Sequence, residues 1–509
     1  MSGRALFASL AAVAIAQGVI QVSRLKHKHM NMYLHAYDFV FFLRPASLRF
    51  ALDNVTSVTL QFTLGFAALT VLLVAAYLLD PTRVPRLYAV VAMPVLFAVL
   101  ALAKRRIPPR ELWMQFYNPH RLVNFLDSIP ETFNACLRGR ILAAKNSPVD
   151  DHLAPGALKL PVDKPPPPTI IAIMHESLFP PSLYSTIRSD GEFDGFFRSS
   201  DGVDRLLRVE TFGAGTWLSE FSFLTGIPAH SYGEFRAHVF HWAAGHIRHS
   251  LPRSLRELGY HTAVHYPHPL GVMSADRFYR SIGFDEIRDR PAIGFASDNV
   301  EDRVRYDYAL GWLERHFTNT EVPAFLFLHS STNHFPHDVK FRPERRCRHA
   351  FDAANNSEVN EYLRRLSFSV EDFASFRAAL AERFPDRPFL LVRFGDHQPP
   401  LCWNLLGEQQ EWLNSLQRLP ADNKGFLTYF ALEAVNHTLQ TPADVPRTIE
   451  IAYLPTALLL AAALPLDAVH QRRRELMIRH RGMLYFSDDG IVAAQLNQRL
   501  IDAGLVLSH

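Results

Sequence analysis

The sequence predicts an α/β protein: a central, mostly parallel sheet sandwiched by helices, preceded by an N-terminal helical membrane region. Three observations carry this expectation. From Thr169 onward, short uncharged apolar runs alternate with helical stretches, the pattern of strands and crossover helices around a buried parallel sheet. Polar residues capable of chemistry follow those runs, at the sheet edge where open α/β folds bind ligands. Long uncharged segments also crowd the first hundred residues. The expected division is 1–106 for the membrane region, 107–164 for juxtamembrane helices and a proline-rich linker, and 165–509 for the catalytic domain.

The chain of 509 residues has room for such a domain and its core. Lys plus Arg is 53 and Asp plus Glu is 50, so no strong field points to nucleic acid. Three cysteines, Cys136, Cys347 and Cys402, are few and odd in number, and none has C-x-x-C spacing. They imply neither a disulfide framework nor a thiolate zinc site; Cys347 and Cys402 could pair in a shared oxidising compartment, but no bond between them is expected.

In the membrane part, the uncharged stretches lie between Arg4 and Arg24, between Asp53 and Asp80, and between Arg86 and Lys104. Each approaches or exceeds the roughly 17 to 25 residues that a spanning helix needs. Three spans are therefore expected, the second being the clearest. A cytoplasmic N-terminus would put everything after Lys104 outside. The positive-inside rule objects, because Arg24, Lys26, Lys28, Arg44, Arg49 and the basic run at 104–110 would then lie outside too. Either the topology is unusual or upstream helices are missing. Residues 111–144 mix aromatic, aliphatic and basic residues at helical spacing, which suits surface helices on a membrane or a covering layer on the following domain. "VDKPPPPT" is a stiff linker.

In the α/β part, "TIIAIM", "TAVHY", "AFLFLHSS" and "FLLVRF" read as strands. The run near residue 460, about a dozen apolar residues, is too short to span and reads as a core helix. Residues 213–226, "GAGTWLSEFSFLTG", put two glycines before a threonine that opens an apolar helical pattern. Thr216 thus stands at a helix N-terminus, either as a simple N-cap or facing an anion that the helix dipole favours.

Collecting the strand-end polar residues gives Glu176, Thr216, His265, His334, Asp396 and His397. Two carboxylates, an imidazole and a hydroxyl make an oxygen-and-nitrogen shell for one divalent cation. Such a cation lowers the pKa of a hydroxyl and turns Thr216 into a nucleophile, leaving His265 and His334 for a phosphate or a leaving oxygen. "HVFHWAAGHIRHS" sets His238, His241, His246 and His249 three to five residues apart, which reads as a solvated or substrate-lining helix ahead of a second metal site.

The order "MHES", "GAGTWLSEFSFLTG", "NHFPH", "FGDH" resembles the alkaline phosphatase and sulfatase superfamily, and within it the lipoteichoic acid synthase and phosphoglycerol transferase branch. "RLKHKHMNMYLHAYDFVFF" is also similar to a loop in the membrane part of that branch. The resemblance implies that Thr216 is nucleophile and metal ligand, with Glu176, Asp396 and His397 as the other ligands. It implies that His334 stands near the transferred phosphoryl group, and that His265, His268, Arg277 and Trp217 face the substrate. The metal implied is manganese, with magnesium or zinc as alternatives. The donor implied is a phospholipid, phosphatidylglycerol first, and the acceptor a cell-envelope glycan or lipid-linked molecule. The setting implied is a multi-pass protein of the bacterial inner membrane with an extracytoplasmic catalytic domain. In "SADRFYRSIGFDE" the tryptophan of that family's head-group stretch is missing and Arg277 is displaced, which leaves the head group open. Phosphoethanolamine transfer is therefore an alternative, as is a non-catalytic scaffold in envelope-polymer assembly. The C/S-x-P-x-R stretch of ester sulfatases is absent, which argues against sulfate cleavage.

Overall fold

A computed structural model describes residues 3–30, 33–36, 38, 56–104, 120–137, 141–146, 153 and 166–507, except 296, 298, 350, 407–422 and 441–442. The basic run from 105, the aromatic end of the loop at 39–50 and most of the proline linker lie outside the described residues. The chain divides into two compact units. One comprises Met1–Gly139 with Gln410–Gln417, and the other Arg140–Gln409 with Arg418–His509.

The first unit is helical. Helices α1 (Ala5–Met30), α2 (Thr56–Leu79) and α3 (Arg86–Lys104) occupy the three apolar stretches, followed by α4 (Arg121–Leu137). Among the described residues one segment, Ala5–His27, is long and apolar enough to cross a membrane, with a mean hydropathy of 1.9. Large aliphatic and aromatic side chains on α1 and α2 point outward, Ile15 and Phe66 among them, 69% and 73% exposed. In water such an apolar surface would be costly. The N-terminal amides of α1 are satisfied by the loop after α2: Ala5 N donates to Thr82 Oγ1 and Phe7 N to Asp80 Oδ2, each at 2.9 Å. Lys26 and Asp38 form a buried ion pair at 2.8 Å, and Lys26 Nζ also donates to Tyr33 O. A charge in each half of that loop is thus fixed by the other.

The second unit holds an eight-stranded sheet in the order β4-β3-β5-β1-β6-β7-β2-β8. Strands β1 (Thr169–His175), β5 (Ala324–His329) and β6 (Phe389–Gly395) are buried at every residue, which is why their sequences are nearly continuous apolar runs. The exception, Arg393, is bonded to Glu433 and Phe196 O and lies 4.1 Å over the Phe373 ring. β3 (His261–His265) and β4 (Glu286–Arg288) extend the parallel part beyond β5. β7 (Leu427–Val435) runs antiparallel to β6 and to β2 (Leu206–Arg208), which pairs in parallel with β8 (Thr448–Glu450).

Helices α5 (Thr216–Thr225), α6 (Leu251–Glu257), α7 (Ala275–Ile282), α8 (Asp302–Asn319), α9 (Ser357–Arg383), α10 (Leu454–Ala461), α11 (Ala468–Arg479) and α12 (Ile491–Asp502) flank the sheet. α10 is the expected core helix, and seven of its eight residues are buried. The histidine-rich stretch differs from expectation: its helix spans only Val239–Ala243, and His246 and His249 lie beyond it. Cys347 and Cys402 are both free thiols.

Candidate metal and nucleophile site

β1 pairs with β5 on one side and β6 on the other, so its carboxyl end is the point where the strand order diverges. Glu176 follows β1 directly, and Asp396 and His397 follow β6. β6 can close on β1 there because residue 395 is glycine. A Cβ at Gly395 would sit 2.0 Å from Leu178 O and 2.9 Å from Thr428 Cβ.

α5 brings Thr216 to the same place. Gly215 is its N-cap, in the left-handed region at φ 93°. Gly213, at φ 74°, leaves its α-carbon room beside the Trp403 indole, and its N–H donates to Gln398 O at 2.8 Å. Thr216 is therefore not the cap but the first helical residue, and its hydroxyl makes no capping bond. Instead Oγ1 donates to Glu176 Oε2 at 3.2 Å and lies 3.4 Å from His397 Nε2. His397 Nε2 stands 3.6 Å from Glu176 Oε1 and 3.4 Å from Asp396 Oδ2. Glu176, Asp396 and His397 are buried and Thr216 half-buried, so the hydroxyl is the accessible member of the four.

The surrounding bonds fix how each group points. His397 Nδ1 donates to Gln398 O at 3.0 Å, which leaves the Nε2 lone pair facing the carboxylates. Gln398 is itself anchored through Nε2 to Lys424 O and Leu427 O. Ser177, at φ 57°, donates through N to Asp396 Oδ1 and through Oγ to Glu176 Oε1, each at 2.7 Å. A non-glycine residue held in that region at a polar cluster is strain retained for a purpose. Ser177 and Gln398 were not among the residues expected from sequence. Ser177 reaches Asp396 through its main-chain N–H and Gln398 holds His397 through its main-chain carbonyl, bonds that any residue type can make, which leaves no signal in the sequence.

Asp396 Oδ2 is buried with no hydrogen-bond partner. Burial, then repulsion from Glu176, pushes the Asp396 carboxyl up to about 7. Burial alone would raise Glu176 too, but the neighbouring imidazoles and the bonds from Ser177 and Thr216 outweigh it and hold that carboxyl low. An orphaned carboxylate oxygen, a second carboxylate and a lone-pair nitrogen, all within 4.8 Å, fit a divalent cation. Without one, the negative charge is only partly compensated.

The other expected residues are held as follows. His334 is half-buried, its Nδ1 pairs with Phe335 O, and its charge reaches Glu176. Trp217 donates to Ala237 O at 3.0 Å. His265 is buried against Tyr308 and Trp312, with ring centres 4.9 and 5.8 Å away, and burial pushes its imidazole down to about 3. The His268 ring meets Tyr266, and Arg277 is exposed on α7. One turn beyond Thr216, buried Glu220 accepts from the Tyr279 hydroxyl and lies 3.3 Å from His329 Nε2, tying α5 to α7 and to the end of β5.

Comparison with known proteins bears on this arrangement. The chain is 26% identical over 245 residues to an uncharacterized protein of Haemophilus influenzae, covering 46% of this chain and 44% of that one. The match thus spans less than half the length of that relative. Among solved structures, it is similar to the lipoteichoic acid synthase LtaP from Listeria monocytogenes, at 19% identity and a TM-score of 0.46, over 58% of this chain and 72% of the other. It is also similar to the Streptococcus pyogenes phosphoglycerol transferase GacH in complex with sn-glycerol-1-phosphate, at 17% identity and a TM-score of 0.49, over 67% and 86%. A third is the lipooligosaccharide phosphoethanolamine transferase EptA from Neisseria meningitidis, at 12% and 0.39, over 77% and 72%. The sulfatase family profile matches residues 168–461, more than half of the chain and every strand of the sheet, and the protein belongs to the sulfatase family.

Proposed function

We propose that this protein is a membrane-bound, metal-dependent phosphotransferase. It moves a phosphoglycerol-type head group from a phospholipid, through a phosphothreonine at residue 216, to a cell-envelope glycan or lipid-linked acceptor. One observation carries the reading: the hydroxyl that opens α5 is not used as a cap but faces two carboxylates and an imidazole. Threonine with no C/S-x-P-x-R stretch argues for phosphoryl rather than sulfuryl chemistry. The exposed apolar faces of α1 and α2 suit a lipid donor, and we read the protein as multi-pass in the inner membrane with its catalytic domain outside the cytoplasm.

Glu176, Thr216, Asp396 and His397 would hold one divalent cation, manganese being our first assignment for so oxygen-rich a set. When bound, it supplies charge neutralisation and a lowered hydroxyl pKa. The remaining work falls to the chain. Glu176 Oε2, which already accepts the Thr216 hydroxyl, takes its proton as Oγ1 attacks phosphorus. The bond from phosphorus to the diacylglycerol oxygen breaks, and His334 protonates that oxygen. The α5 dipole favours the phosphoryl group left on residue 216. An acceptor hydroxyl then displaces it in the reverse sense. Ser177 and Gln398 keep Asp396 and His397 aligned throughout.

The test uses the full chain in detergent with manganese and head-group-labelled phosphatidylglycerol. Diacylglycerol release, with label retained on wild type but not on Thr216→Ala, is the expected result. Release from phosphatidylethanolamine alone would reassign the head group. Equal release by Thr216→Ala would overturn the mechanism.

A further inference from the structure

Three residues from separate parts of the chain converge beyond the far end of α5. His249 directly precedes Ser250, the N-cap of α6. Asp467 is the N-cap of α11, and His470 lies in its first turn. One ligand atom from each lies within 4.8 Å of the other two. His249 Nε2 stands 2.8 Å from Asp467 Oδ2, and the His249 and His470 rings are centred 5.1 Å apart. Asp467 Oδ1 accepts from His470 N at 2.8 Å, and Ser254 Oγ donates to Oδ2 at 3.2 Å. His470 has no exposed surface. Its Nδ1 pairs with the Thr456 hydroxyl at 2.9 Å, while its Nε2 is buried without a hydrogen-bond partner.

A helix cap explains Asp467 but not that nitrogen. Leaving a buried imidazole nitrogen unpaired is unfavourable, and an apolar side chain there would avoid the cost. We propose that His249, Asp467 and His470 form a second divalent-cation site, separate from the Glu176–Asp396–His397 cluster, that takes zinc and clamps the starts of α6 and α11 together behind α5. Two imidazoles and one carboxylate favour zinc over the harder magnesium or manganese. The Thr456 hydroxyl can accept from Nδ1–H, and in that tautomer the free electron pair of His470 is at Nε2, the usual arrangement of a ligating histidine. Zinc ligands at about 2.0–2.2 Å stand about 3.4 Å apart, so closing the trio takes a movement of about an ångström. The His249 and Asp467 side chains are each 10% exposed, enough for entry of the ion and a water in the fourth position. Arg473, whose charge acts on both Asp467 and His470, donates to Thr225 O at the last turn of α5. The two clusters thus sit at opposite ends of a ten-residue helix, roughly 15 Å long.

The experiment strips the full chain in detergent with a chelator, reloads it with Zn2+ alone, and counts zinc per chain by mass spectrometry. His249→Gln combined with Asp467→Asn, which keeps a capping residue, should hold one zinc fewer than wild type while its metal-free melting temperature stays within a few degrees. Glu176→Gln combined with Asp396→Asn should keep one zinc, with X-ray absorption showing two imidazoles. An unchanged zinc count in the first pair, or no zinc in the second, would overturn the site. If the first pair does not fold, the absorption spectrum of the second, whose proposed trio is native, decides alone.

Discussion

Gly215 and Gly226 bracket α5, and both adopt left-handed angles, φ 93° and 64°. In front, the glycine frees the next hydroxyl from capping and leaves it half-exposed beside two buried carboxylates and a buried imidazole. Behind, a Cβ at Gly226 would meet the Arg473 guanidinium at 2.3 Å, and that buried arginine seals the helix end by bonding Thr225 O. One backbone conformation thus opens a polar edge at one terminus and closes a packed one at the other. Glycine in a helix boundary motif says where the chain turns; only the neighbours say why.

The sharpest break of this comparison is Thr216→Ala. It should lower turnover by at least about 10³-fold with an unchanged melting temperature, because the hydroxyl serves no cap. Ser177→Ala sharpens the front end: manganese affinity, followed by calorimetry, should fall about 10-fold as Glu176 loses the aligning bond from the Ser177 hydroxyl, while the main-chain bond to Asp396 stays. Gly226→Ala breaks the rear end, costing about 1–2 kcal/mol in denaturant unfolding while leaving kcat near wild type. Away from both ends, His265 offers a pH test. Its folded pKa, about 3, lies below the ordinary histidine value, so its contribution is complete above pH 6.5 and declines as pH falls toward 3. Wild type should lose about 2 kcal/mol between pH 7 and 5 through this group, and His265→Gln should lack that loss.

Strands β1, β5 and β6 are legible because uninterrupted burial leaves nearly uninterrupted apolar runs, and β3 from a short buried centre after a helix and a glycine. β2, β4 and β8 have three residues each, with charged or polar ends such as Glu286 and Arg288, too few to show a period. β7 has the length, but its Glu433 reads as a break until Arg393 on the neighbouring strand is seen beside it. Glu176, Thr216, Asp396 and His397 are legible together because strand ends in a parallel sheet share one edge. His249 is the opposite case. Its sequence neighbours suggest a local histidine group, whereas its partners lie more than two hundred residues away, where no local pattern reaches.

The placement of β1 has a consequence for how the chain acquires its fold. It is the earliest strand among the described residues and lies inside the sheet, yet its hydrogen-bonding partners are Phe325 onward in β5 and Phe389 onward in β6. A ribosome must add some 150 residues before the first partner exists, and about 220 before the second. Throughout that interval "TIIAIM" is a bare apolar ribbon, the kind of segment that pairs with other chains. Pairings this distant slow folding. The cluster at its end cannot assemble until synthesis has passed residue 397, so a product that stops short of it lacks Asp396 and His397 altogether.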